Sequence, residues 1–160
     1  MSLLKYVTTP VAAAAMLGAG TGISTAQGPA RMTADRATVV PLSEVLKRCD
    51  FTDDAYEAAL GSGSAESIVS STGSEVRADV SLNDATPGTR YFVRLVENPA
   101  PTSTCRPGNP GVAAGTIDTD GGGNGSVSLQ EAVLSGTTGA WVFIEGPPDD
   151  FYSSDFIAPV

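Results

Sequence analysis

Over residues 75–82 apolar and polar side chains take turns. Val76, Ala78, Val80 and Leu82 interleave with Glu75, Arg77, Asp79 and Ser81. A period of two places the two sets on opposite faces, so the pattern predicts a strand with one face buried and one wet. Residues 89–97 (TRYFVRLVE) are rich in aromatic and β-branched types, as strands are. There Tyr91, Val93 and Leu95 share one face, and Phe92, Arg94 and Val96 share the other. Between the two segments, residues 83–88 (NDATPG) carry turn chemistry, with Pro87 fixing φ and Gly88 free to take positive φ. The two segments therefore read as an antiparallel pair.

The same punctuation continues to the C-terminus. Residues 98–110 hold four prolines and Cys105 and read as a loop. Residues 113–118 form a further strand, residues 120–125 (DGGGNG) a turn, and residues 126–131 a strand with Val127 and Leu129 on one face. A turn at 136–139 precedes the most apolar strand, residues 140–145 (AWVFIE), and residues 151–160 supply a closing strand. Upstream, residues 38–60 are mixed. Leu42, Val45 and Leu46 fit either one short helical turn after Pro41 or an irregular strand leading into Cys49. Short strands separated by Gly/Pro turns, with almost no helical period, predict an all-β antiparallel β-sandwich, with a small β-barrel as the competing architecture.

The N-terminal stretch follows another pattern. Lys5 precedes an apolar run, VAAAAMLGA, and Ser24-Thr25-Ala26 places small residues where signal peptidase cuts. The run is shorter than the roughly 20 residues that cross a bilayer. Residues 1–26 thus read as a signal peptide cleaved after Ala26, residues 27–37 as a flexible leader, and residues 38–160 as one β-sandwich domain. The product is expected outside the cell or in the cell envelope, without a membrane span.

Charge narrows the partners. The whole chain carries a net charge of −9, and its basic residues are scattered. Such a surface repels phosphate backbones and anionic lipid, which argues against nucleic acid and membrane surfaces. Cys49 and Cys105 form an even pair, which in an oxidising compartment argues for one disulfide.

The chain contains no histidine. Ser-His-Asp and Cys-His catalysis are therefore excluded, and histidine-ligated zinc with them. Adjacent carboxylates occur at Asp53-Asp54 and Asp149-Asp150, but neighbours on a strand point to opposite faces. They read as solubilising charge rather than as an acid–base pair.

Residues 120–131 (DGGGNGSVSLQE) overlay part of a twelve-residue calcium loop. Asp120 falls at position 1, Asn124 at 5, Gly125 at 6 and Glu131 at 12, with Asp118 just upstream. Gly122 stands where an oxygen donor belongs, and the flanks leave no room for the two helices of an EF-hand. A glycine-rich turn explains the same residues. Asp118, Asp120, Asn124 and Glu131 remain the calcium candidates, and no other cofactor is implied. Asn124-Gly125-Ser126 also matches a glycosylation sequon.

The segments EVRADVSLNDATPGTRYFVRLVE, TDGGGNGS, GTTGAWVFIEG and DFIAPV together resemble a family of small secreted actinobacterial proteins with an immunoglobulin-like fold. The resemblance covers residues 49–160. It implies a fold and a compartment and transfers no functional residues. The sequence thus supports a non-enzymatic secreted module that binds a protein or glycan, with Phe151 and Tyr152 beside Asp149-Asp150 as the place to look. A calcium-stabilised envelope protein ranks second, and a carboxylate-based hydrolase of an extracellular polymer ranks last.

Overall fold

The computed structural model describes residues 36–160; the span read as a signal peptide and all but the end of the span read as a leader lie outside the described residues. The chain forms β1 (Arg36–Ser43), β2 (Val45–Lys47), β3 (Asp53–Ala58), β4 (Ser64–Ser71), β5 (Glu75–Asn83), β6 (Arg90–Asn98), β7 (Val112–Asp118), β8 (Gly125–Ala132), β9 (Gly139–Gly146), β10 (Asp150–Ser154) and β11 (Ala158–Pro159). Among the described residues there is no helix. The alternation over residues 75–82 is β5: Val76, Ala78, Val80 and Leu82 are all buried. Residues 38–60 resolve into three strands, not a helical turn, and β1 already begins at Arg36, inside the span read as leader.

One antiparallel hydrogen-bonded path runs β7-β6-β9-β10-β1-β4-β5-β8, with β11 added to β9. The path doubles over, so that β7-β6-β9-β10 faces β1-β4-β5-β8. Its corner is the short β10–β1 junction, where the register holds only Leu42 opposite Ser154 and Ser43 opposite Ser153. The main core lies between the layers, with Val40, Val69, Val76, Val80 and Leu82 from one and Tyr91, Val93, Leu95, Val142 and Ile144 from the other. The two ends of the path, β7 and β8, lie side by side without a ladder between them. Gly115 makes room there: a Cβ on it would come within 2.7 Å of Leu129 Cδ2. The fold is an all-β sandwich nearly closed into a barrel.

Two connections differ from the hairpins read in the sequence. β5 pairs with β4 and β8, and β6 with β7 and β9, so the 83–88 turn joins opposite layers. The 118–125 turn does the same for β7 and β8. A hairpin would keep the apolar faces of its strands on one side of one sheet. An arch lets them face each other across the core, and that buries both. The two arches meet: the Ala85 amide donates to the Gly123 carbonyl at 3.1 Å, and the Gly88 amide to the Asp120 carbonyl at 3.2 Å.

β2 and β3 form a separate two-stranded sheet. The excursion that holds them lies on the outer face of the β6-β9-β10 layer. Leu46, Phe51, Ala59, Ala100 and Cys105 pack there on Val96, Val112, Trp141, Phe143 and Phe151. The Cys49–Cys105 disulfide, with Cα atoms 5.4 Å apart, ties the excursion to the 99–110 loop. β9 is consequently buried on both faces, which accounts for its unbroken apolar run.

Candidate functional site

The calcium candidates are occupied with one another's backbone and with arginine. Asp118 accepts from Arg90 Nε at 2.7 Å and Nη2 at 3.1 Å, and this guanidinium holds its carboxyl below the usual range. Asp120 Oδ1 accepts from the amides of Gly122 at 2.8 Å and Asn124 at 2.9 Å. Those amides lower the Asp120 carboxyl in turn. Asn124 Oδ1 accepts from the Asp84 amide at 3.3 Å, and Glu131 stands in β8 opposite Val76. Among the described residues no group of three or more His, Cys, Asp or Glu side chains is placed to hold a metal.

The adjacent carboxylates separate as strand geometry requires. Asp53 pairs with Lys47 at 2.6 Å and Asp54 with Arg48 at 3.3 Å. Asp149 takes a φ of 51° in the turn before β10, while Asp150 is only 2% exposed.

Phe151 and Tyr152 do not form an exposed aromatic patch. They are 3% and 1% exposed, Phe151 under the excursion and Tyr152 in the main core. β10 is buried along its whole length, being the strand that turns the corner between layers. Tyr152 instead joins a buried polar cluster. The Tyr91 hydroxyl donates to Asp150 Oδ2 and accepts from the Thr86 amide at 3.1 Å. The Tyr152 hydroxyl accepts from the Gly63 amide at 3.1 Å. Burial, then the neighbouring Asp150 carboxylate, raises both phenols above their ordinary value. Gly61 seals the cluster, since a Cβ there would fall 1.9 Å from Asp150 Oδ1.

The outer face of β7-β6-β9 presents a different surface. Register sets its side chains in rows: Asp118 beside Arg90; Thr116, Phe92 and Glu145; Ala114, Arg94 and Phe143; Val112, Val96 and Trp141. The excursion covers the last row and the β9–β10 side, where Lys47 Nζ lies 4.4 Å from the Phe51 ring centre. Phe51 meets Trp141 edge-on at 5.4 Å, and Trp141 lies 6.4 Å from Phe143. The Arg94 guanidinium ends this series, 5.4 Å from the Phe143 ring centre. It also pairs with Glu145 at 2.8 Å.

Past Arg94 the cover stops. Phe92 is 53% exposed and is the one large apolar side chain exposed on β6, β7 or β9. A groove of about 660 Å³ lies on one side of its ring, lined by Arg90, Phe92, Arg94, Glu145, Gly146 and Pro147. A smaller one of about 250 Å³ lies on the other, where Pro107, Ala114 and Thr116 join Phe92 and Arg94. An exposed ring flanked on its own strand by two arginines, each paired with a carboxylate, offers an apolar platform between polar edges. Alternation sets Phe92, Arg94 and Val96 on one face without deciding which face is the outer one. What it also lacked was the extent of the cover, which hides Val96 on the same face and leaves Phe92 open.

No family model, curated protein or solved structure matches the chain. The candidate surface therefore stands on its geometry. Among the described residues no helix is long and apolar enough to cross a membrane.

Proposed function

We propose that the chain is a secreted, non-enzymatic binding module that takes a protein or glycan partner on the outer face around Phe92. The observation that carries this reading is the half-exposed Phe92 ring, set between the Arg90–Asp118 and Arg94–Glu145 pairs and bordered by two grooves. A large aromatic left in solvent contributes nothing to the core, and a rigid ring among satisfied polar groups is a common form of binding anchor. The surface replaces the Phe151–Tyr152 site expected from sequence, because of the two only this one keeps its aromatic accessible. Secretion belongs to the same proposal. It draws on the Cys49–Cys105 disulfide and the signal-like N-terminus, and accords with the resemblance to small secreted actinobacterial proteins.

Co-sedimentation with cell-envelope material from the producing organism tests the binding. Wild-type protein is expected in the pellet and Phe92→Ala in the supernatant, with both folded. Equal distribution of the two proteins would refute this surface. Mass spectrometry of the protein from culture medium tests secretion, with Gln27 expected as the first residue.

A further inference from the structure

We infer that the Phe92 surface recognises an uncharged glycan chain, laid across the ring so that successive sugars occupy the grooves on either side. The inference rests on the binding reading and narrows it to one partner chemistry. The two grooves share Phe92 and Arg94 and are separated by the ring. An occupant that fills both must pass over Phe92, so it is extended rather than compact. A pyranose presents C–H groups from one face, and these suit the electron-rich face of an aromatic ring.

The polar edges point to the same class. Arg90–Asp118 and Arg94–Glu145 are both internally paired, so the four groups sum to no net charge. Each guanidinium still has N–H donors to spare, and each carboxylate keeps free lone pairs. A sugar hydroxyl donates and accepts at once, and uses both without breaking either ion pair. An anionic ligand must compete with Asp118 and Glu145 for the arginines and approach a chain of net charge −9. A cationic ligand meets Arg90 and Arg94 at the groove walls. A standard protein interface buries about 800 Å² a side around a core more apolar than its rim, whereas Phe92 is the one large exposed apolar residue on these three strands.

The test is titration calorimetry of the oxidised protein with neutral hexasaccharides (cello-, xylo-, manno-, malto-, laminari- and N-acetylchito-). Oligogalacturonate and chitosan oligomers serve as charged controls. Binding of at least one neutral hexasaccharide is expected, with affinity falling about tenfold or more in Phe92→Ala and retained in Phe92→Trp. Thermal midpoints of both variants should match the wild type, and affinity should change less than about twofold between roughly 50 and 500 mM salt. Binding of the charged oligomers alone would overturn the inference, as would neutral binding indifferent to Phe92→Ala. If no neutral hexasaccharide binds but a protease-sensitive envelope component retains the protein in a Phe92-dependent way, the glycan inference fails and the binding surface stands. If neither occurs, both fail.

Discussion

The Tyr91 hydroxyl donates to Asp150 Oδ2 at 2.5 Å between residues that are almost wholly buried. Tyr91 comes from β6 and Asp150 from the start of β10, so the bond spans strands that are not neighbours in the sheet. Asp150 Oδ1 has no further partner among the described residues. A buried carboxylate with so few partners depends heavily on each one it has.

Tyr91→Phe keeps the ring and removes the bond. The variant should lose about 2–3 kcal/mol, the scale of a hydrogen bond to a charged group. Asp150→Asn leaves at most a neutral amide oxygen to accept the bond, so Tyr91→Phe should cost less in an Asp150→Asn background than alone. Urea unfolding of the two single variants and the double variant measures that coupling. Simple additivity would mean that the bond contributes nothing.

Alkali acts on the same cluster. The Tyr91 and Tyr152 phenols are raised in the folded state, so folding holds their protons more tightly than the unfolded chain does. Their contribution is fully present below the unfolded value of about pH 10 and is lost as pH rises through the folded values. Urea midpoints should hold steady from about pH 8 to about pH 9.5 and fall above that. The fall should be shallower in a variant carrying both Tyr91→Phe and Tyr152→Phe. An equal slope in the two proteins would place the alkaline sensitivity elsewhere.

The disulfide closes a loop of 56 residues and fastens the excursion over Trp141. The chain-entropy relation gives about 4 kcal/mol for a loop of that length. Replacing Cys49 and Cys105 by serine should lower stability by roughly that amount. It should also move Trp141 emission to longer wavelength, since the cover over the indole loosens while the main core persists. Trp141 is the only tryptophan in the chain, so the signal is unambiguous. Loss of stability without an emission shift would show that the cover holds without its tie.

How much of this was legible beforehand depends on the range of the interaction. Alternation is local: it reads Val76, Ala78, Val80 and Leu82 as a buried face, which they form, and it groups Tyr91, Val93 and Leu95 on one face, which the fold turns inward. The two cysteines were paired by number and compartment, and they are joined. Pairing between strands is not local. NDATPG and DGGGNG have the composition of hairpin turns, yet both serve as arches, because the choice is made by burial of both strands across the core. Phe151 and Tyr152 look like a strand end beside an acidic turn. Only the corner at β10 and the excursion from β2 to β3 bury them. The same excursion decides which outer-face residues stay open, so Phe92 could be assigned a face from the sequence but not an exposure.

The meeting of the two arches yields a sharp contrast between glycines two residues apart. Gly123 has a φ of +80°, and a Cβ there would lie 2.1 Å from the Ala85 carbonyl oxygen. Gly121 has open space around it and no positive φ. Gly123→Ala combines backbone strain with a clash against main chain and should cost more than about 2 kcal/mol. Gly121→Ala should stay within about 0.5 kcal/mol of wild type. Thermal unfolding of the two variants compares them directly, and similar losses would refute the close packing of the arches.

Asp120 sits in that same arch, and its role separates a turn from an ion site. Its Oδ1 already accepts from two backbone amides, Asp118 is held by Arg90, and Glu131 belongs to β8. Binding calcium here would require Asp118 to leave its guanidinium and Asp120 to give up amides that close the turn. Asp120→Ala should therefore lower the thermal midpoint modestly, and by the same amount in about 1 mM calcium as in chelator. The wild-type midpoint should not respond to the ion. A site held at a hundredfold excess over its dissociation constant adds about 2.7 kcal/mol, an effect that unfolding curves resolve easily. A calcium-dependent rise that disappears in Asp120→Ala would mean that the arch rearranges around the ion, and the glycine-rich segment would then have to be read as a metal loop.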